Sequence, residues 1–154
     1  MEEEEREAVV KAEAAAYRLL ARRGYGVVEL SEKLKGKDHP EGAVRVVVEG
    51  LKEAGYLDDR RFGEHQAGIL VRKEFGPARI RQKLRSRGLE ESLVEEVVSE
   101  VATAEVFREA ARSRMIRRYG EPQAMDESTR GRAYRHLVRR GYSPGLVRGL
   151  LFDG

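Results

Sequence analysis

The sequence predicts an all-α fold of three tandem three-helix repeats stacked into an elongated, curved array. Three observations predict it. First, 37% of the 154 residues are charged, helix formers (Ala, Leu, Glu, Arg) dominate, and the apolar residues are confined to narrow stripes at helical spacing. Second, one apolar template occurs three times: Leu30, Leu34, Ala43, Val44, Val47, Val48; then Ile80, Leu84, Leu93, Val94, Val97, Val98; then Ala133, Leu137, Leu146, Val147, Leu150, Leu151. The internal spacings are identical and the copies are offset by 50 and 53 residues. Third, each copy follows a helical stretch that ends in an aromatic beside a glycine: Gly24-Tyr25-Gly26, Phe75-Gly76 and Tyr119-Gly120. Three-helix units of this size bury little core alone, so stacking is expected.

Taken in order, the glutamate-rich Glu2 to Glu13 segment reads as a helix extension or a frayed tail. Ala16, Leu19 and Leu20 mark the first helix, Leu30 and Leu34 the second, and Ala43 to Val48 the third, with Pro40 near the start of that third helix. Ala67, Ile69 and Leu70 begin the second copy, in which Gly88 suits a left-handed helix end. Ala110, Ala111 and Met115 begin the third copy, in which Gly141 plays the same part and Ser143 is a candidate N-cap before Pro144. Glu121 to Arg130, polar with one proline, reads as a longer loop. The divisions are 1–57 (extension and repeat 1), 58–102 (repeat 2) and 103–154 (repeat 3).

One stretch, "EAGYLDDRRF" from Glu53 to Phe62, advertises chemistry with paired acids and paired arginines. Its place at the end of repeat 1 favours architecture instead. Gly55 suits a left-handed C-cap, Tyr56 and Leu57 pack into the joint, and Asp58 or Asp59 caps the next helix.

Net charge is only +3, but the charge is segregated. Arg60 to Arg87 holds nine basic and two acidic residues, Arg108 to Arg140 ten arginines and four acids, and Leu89 to Val101 five glutamates with no base. Such blocks suit a polyanion partner. The helix "GPARIRQKLRSRG" surrounds a narrow apolar seam with Arg79, Arg81, Lys83, Arg85 and Arg87. Arg60, Arg61, Arg72, Lys73, Arg117, Arg118, Arg135, Arg139 and Arg140 extend the cationic set. Arginine's planar fork of donors matches phosphate oxygens. No aromatic interleaves with these arginines in a stacking pattern, so sequence-specific reading is not indicated.

Reactive constellations do not emerge. His39, His65 and His136 are widely spaced, "LKGKDH" lacks the glycine and hydroxyl of a phosphate loop, and no zinc, nucleophile-elbow or dinucleotide spacing occurs. No enzyme activity, metal or cofactor is expected. The chain has no cysteine, which excludes disulfides and fits an intracellular protein. The acidic start is the opposite of a signal peptide, and no apolar run approaches the roughly 18 residues of a membrane span. A cytoplasmic monomer is expected.

"YLDDRRF" (Tyr56 to Phe62) followed by "GPARIRQKLRSRG" (Gly76 to Gly88) resembles the heart of the RecX family of recombinase regulators. "AYRLLARRGYGVVELSEKL" (Ala16 to Leu34) and "LVRRGYSPGLVRGLL" (Leu137 to Leu151) are similar to that family's first and closing segments. Departures are Asp38-His39-Pro40, where a glycine and an aromatic are usual, and the helix glycines Gly63 and Gly68. The resemblance implies a non-enzymatic protein that binds the RecA filament on single-stranded DNA and modulates, mainly inhibits, its ATPase and strand exchange. The acidic Glu90, Glu91, Glu95 and Glu96 could then meet basic protein surface instead. Two rivals are a helical protein that binds duplex DNA without a recombinase partner and a peptide-binding scaffold with an apolar groove.

Overall fold

The computed structural model describes residues 2–153, and among these it contains nine α-helices, one 3-10 turn and no strand. The sequence repeats three times, whereas the structure divides into two compact units, Met1–Gly63 with Arg87–Glu90, and Glu64–Ser86 with Glu91–Gly154.

The first unit is built on α1 (Glu2–Arg22), α2 (Val27–Gly36) and α3 (Glu41–Glu53). The glutamate-rich segment is helical from Glu2 onward, and its first-turn carboxylates complement the positive end of the α1 dipole. Ala12, Ala15, Ala16 and Leu19 form the buried stripe of α1, packed with Leu30 and Leu34 of α2 and Val44, Val47, Val48 and Leu51 of α3. Across the three repeats every template position is buried except Leu93 and Leu146, which are half-buried.

Helix α4 (Asp59–Arg72) begins in this unit, and its start shows what "LDDRRF" does. Asp58 Oδ1 accepts from the Arg61 N–H at 3.1 Å and caps α4. Asp59 does something else: its Oδ1 accepts the Val27 N–H at 2.9 Å, capping α2 from the neighbouring repeat. The Arg61 guanidinium donates to the Gly55 carbonyl at 2.9 Å, and Phe62 is buried beside Gly24 and Gly26. Leu57 is buried as expected, but Tyr56 is exposed and stands edge-on to Tyr17. The tyrosine therefore braces the outside of the joint and does not fill it.

The second unit continues with α5 (Pro77–Ser86), α6 (Glu91–Val101), α7 (Ala104–Tyr119), α8 (Glu127–Arg139) and α9 (Pro144–Phe152). Thr103, Asp126 and Ser143 cap α7, α8 and α9 by accepting the N–H three residues on. The long loop expected over Glu121 to Arg130 is shorter than that. Pro122–Ala124 form a 3-10 turn, Pro122 and Met125 are buried, and α8 starts at Glu127 because Asp126 caps it.

One contact recurs between successive repeats. The start of a repeat's second helix sits on the glycine turn that separates the second and third helices of the next repeat. In the first unit, a Cβ at Gly88 (φ 87) would lie 2.6 Å from Cβ of Val28. In the second unit, a Cβ at Gly141 (φ 105) would lie 2.4 Å from the Arg79 nitrogen, and one at Gly76 would lie 2.4 Å from the Gly141 carbonyl carbon. Gly76 and Ala78 donate their N–H groups to the carbonyls of Arg140 and Gly141, at 2.7 and 3.0 Å. Pro77 occupies the template position of Val27 and has no N–H, so this joint needs no counterpart of Asp59. The equivalent turn of repeat 1 has Asp38 at φ 68, exposed to solvent. Exposed at that position, a side chain is tolerated.

Replacing Gly88 or Gly141 with alanine is expected to destabilise the protein by at least roughly 1–2 kcal/mol from the left-handed backbone alone, with the steric overlap adding to that. Asp38→Gly, at the same turn position without the close approach, is expected to shift stability by under about 0.5 kcal/mol. Urea unfolding midpoints of the three variants check this; equal destabilisation at all three positions would contradict the packing account.

Candidate polyanion-binding site

The end of α4 carries the only acidic residue of the Arg72 to Arg87 block, Glu74, in the left-handed region at φ 64. This turn leaves carbonyls of Lys73 and Glu74 without helical partners, and Arg140 supplies donors to both. Its Nε donates to the Glu74 carbonyl at 3.3 Å and its Nη2 to the Lys73 carbonyl. A cation at a helix C-terminus also suits the dipole. The same guanidinium lies over Phe75, 3.8 Å from the ring centroid, and the Lys83 ammonium approaches that ring at 5.1 Å. The corner aromatic of repeat 2 is thus a platform that gathers cations from α5 and from the end of α8.

On the side of Glu74, Arg114 Nη1 donates to its carboxylate at 3.2 Å and Arg117 makes a second, tighter contact with the same oxygen. Burial opposes the carboxylate's charge, but the bonds and charges of Arg117 and Arg114 outweigh it and hold the group below its usual range. Arg114 Nε also donates to His136 Nε2 at 2.8 Å, which places the ring proton on Nδ1. Burial of His136, followed by the positive charges of Arg118, Arg114, Arg140 and Arg139, pushes its pKa down to about 4. At neutral pH the imidazole is an uncharged acceptor, wedged edge-on to Tyr119 at 5.8 Å. With its Nε2 occupied it is a structural group, not a free base.

The helix α5 does not display all its cations. Arg85 makes a bidentate pair with Glu91, both bonds at 2.6 Å, and Arg81 meets Glu95 at 3.0 Å. Arg87 reaches Glu29 at 3.3 Å. Glu91 and Glu95 are thereby paired within their own repeat. Arg79, bonded to neutral Gln82 at 2.5 Å, and Lys83, on Phe75, carry no carboxylate among the described residues. Arg139 is exposed beside Arg140, and Arg118 points along Tyr119, whose hydroxyl accepts from it at 3.4 Å. Arg72 and Arg135 are exposed and fold back over Gly68 and Gly131 of their own helices. Arg60 and Arg61 lie in the first unit, the latter committed to Gly55.

The second unit thus brings Lys83 and Arg140 onto Phe75 and Arg118, Arg139 and Arg140 around His136. Arg79 stands one turn before Lys83 on α5, exposed Lys73 follows the end of α4, and one carboxylate, Glu74, is already neutralised by two arginines. Glu74, Phe75, Arg114, Tyr119 and His136 organise this face, and charge counting, which includes Glu74 and Arg114, does not show that they meet there. Their signal in the sequence is the repeated corner aromatic. Chemically the arrangement offers phosphate-matching donors and no nucleophile–base pair. Among the described residues no group of three or more His, Asp or Glu is placed to hold a metal ion, and no helix is long and apolar enough to cross a membrane.

Residues 58–98 match a family model described as the second three-helix domain of RecX. The regulatory protein RecX of Halorhodospira halophila is 39% identical over 135 residues, spanning 87% of this chain and 82% of that one. The chain belongs to the RecX family. RecX of Trichlorobacter lovleyi is 37% identical over 139 residues, 88% of this chain and 90% of the relative. The crystal structure of RecX from Lactobacillus salivarius superposes with a TM-score of 0.81 over 96% of both chains at 16% identity. A second RecX crystal structure gives 0.82 over 97% of this chain and 74% of that one, at 23% identity. These two establish the all-α, tandem three-helix fold. The named relatives are regulatory proteins, and this RecX protein is a regulator and not an enzyme.

The His136 environment generates a pH prediction. Its folded pKa of about 4 lies below the ordinary 6.5, so between those values the unfolded chain binds more protons. Its contribution to stability is complete above 6.5 and is lost as pH falls toward about 4. His136→Gln, neutral and still able to accept from Arg114, is expected to flatten that part of the curve of urea midpoint against pH. An unchanged slope would place the acid sensitivity elsewhere.

Proposed function

We propose that this RecX protein binds the RecA recombinase filament on single-stranded DNA in the cytoplasm, as a monomer, and restrains its ATPase and strand exchange in recombination and repair. The observation that carries this reading is the cation set around Phe75. Arg79 and Lys83 stand on one stripe of α5 without carboxylate partners among the described residues. Lys83 shares the Phe75 ring with Arg140, and Arg139 is exposed next to Arg140 in sequence. Backbone phosphates spaced along a single strand fit such donors without base-specific reading. Family membership supplies the regulatory role. Phe75 is covered by its own cations and is not an open stacking platform, which favours phosphate contact over base stacking.

ATP hydrolysis by RecA on single-stranded DNA, with and without the protein, is the direct test. Progressive inhibition is expected, and no effect at saturating concentration sinks the reading. Separately, Arg79→Glu with Lys83→Glu is expected to weaken single-strand binding. It should also lower the log–log salt slope by about 1.4, at about 0.7 for each phosphate that is no longer neutralised. Arg81→Ala with Arg85→Ala, which removes cations already paired to Glu95 and Glu91, is expected to leave affinity nearly unchanged. Preference for duplex over single strands in the same titration would favour a duplex-binding protein.

A further inference from the structure

The first unit has a surface that the recombinase reading does not use. Helix α1 is 21 residues long, against 14 and 16 for α4 and α7 at the corresponding places of repeats 2 and 3. Its fully buried stripe begins only at Ala12, with Ala8 and Val9 partly buried against the same core, so the turns before Ala8 overhang. From Glu2 to Glu7 the overhang is roughly 9 Å of helix. Between it and α3 lies a groove of about 560 Å³, floored by Ala8, Val9, Ala43 and Val46 and rimmed by Glu4 and Glu5. A second hollow of about 590 Å³ adjoins it, sharing Glu5, Val9 and Val46. Val10 and Val46 are 66% and 57% exposed. Gly42 on the groove wall has nothing within 4 Å of where a Cβ would stand, so the hollow is open there.

Charge decides the occupant. The overhang carries Glu2, Glu3, Glu4, Glu5 and Glu7 against a single cation, Arg6. Arg6 is spent on Glu2, at 3.7 Å with both side chains exposed. Dipole compensation accounts for carboxylates in the first turn, but it does not account for an apolar floor left open beneath them. A second copy of the same face would set Glu4 and Glu5 against themselves. We propose that this groove docks an amphipathic helix of a partner protein whose apolar seam is flanked by lysine or arginine. Its apolar residues at i, i+3 or i+4 would enter between Val9 and Val46, and its flanking cations would pair with Glu4 and Glu5. The contact requires a helix of two to three turns, matching the groove-lining span of α1 from Glu2 to Val10. It is separate in residues and in charge sign from the cationic corner around Phe75.

The test uses the full chain and three labelled 18-residue synthetic helices, with fluorescence anisotropy and amide chemical shifts as readouts. One has leucines on a single face and lysines elsewhere, one replaces the lysines with glutamates, and one replaces the leucines with serines. The leucine–lysine peptide is expected to bind and to shift amides of α1 and α3 around Val9, Gly42 and Val46. The leucine–glutamate peptide is expected not to bind, and the serine–lysine peptide to bind at least about tenfold more weakly. Val46→Lys and Gly42→Leu, both at exposed positions, are each expected to reduce affinity by about tenfold with unchanged helicity and melting temperature. Equal binding of the serine–lysine peptide, amide shifts confined to other helices, or full affinity of the Val46→Lys variant would each overturn the proposal. Self-association abolished by Val46→Lys would also overturn it, by giving the groove to a second copy. RecA ATPase inhibition is read independently, so either reading can fail without the other.

Discussion

The seating of a helix start on the glycine turn of the following repeat is the contact on which the rest depends. At Gly76 and Gly141 two backbones meet so closely that neither residue has room for a methyl group. Because the contact is backbone to backbone, its hydrogen bonds, from Gly76 and Ala78 to Arg140 and Gly141, are made in the same place. Two helix-terminal donors that would otherwise need water are satisfied by the neighbour's turn. The Val28 and Gly88 contact is the side-chain version of that seat, with Asp59 closing the Val27 N–H that proline removes from the problem in the next repeat.

Bringing backbones together also brings cations together. Arg140 is carried to the end of α4 because Gly141 must sit on Gly76, and there it covers Phe75 and two otherwise unpaired carbonyls. The first unit has a parallel arrangement, in which Arg23 stacks on Tyr25 at 3.7 Å and shares Glu29 with Arg87. Both of these corner aromatics therefore hold a guanidinium, and each of the two joints contains one carboxylate serving two arginines. Burial first, and then the repulsion of four of these cations, holds His136 neutral. A face assembled this way is positive because packing concentrates charge there, not because the chain as a whole is basic.

Much of the fold is legible in the sequence. The apolar template, the capping residues Ser143 and Asp58, and the left-handed glycines all specify local structure through spacing and backbone sterics, which a linear sequence displays directly. Glu121 to Arg130 reads as a loop because a polar, well-capped helix start and a loop have similar composition; Asp126 separates them only once its acceptor geometry is seen. The site is less legible. The cationic residues are visible as a set, but their accessibility is not. Arg81, Arg85 and Arg87 have the same sequence context as Arg79 and Lys83, yet only the first three face carboxylates.

By itself the sequence determined the helices, their breaks, the threefold repetition and the family, because these follow from periodicity, capping chemistry and residue identity over short spans. Tertiary structure alone decided which charges survive pairing, that Asp59 caps a helix 32 residues away, and that Glu74 and His136 anchor the cationic corner. It also decided that Val9 and Val46 frame an open groove. Electrostatic and apolar availability depends on what lies within a few ångströms in space, and that neighbourhood is set by which backbone can approach which glycine.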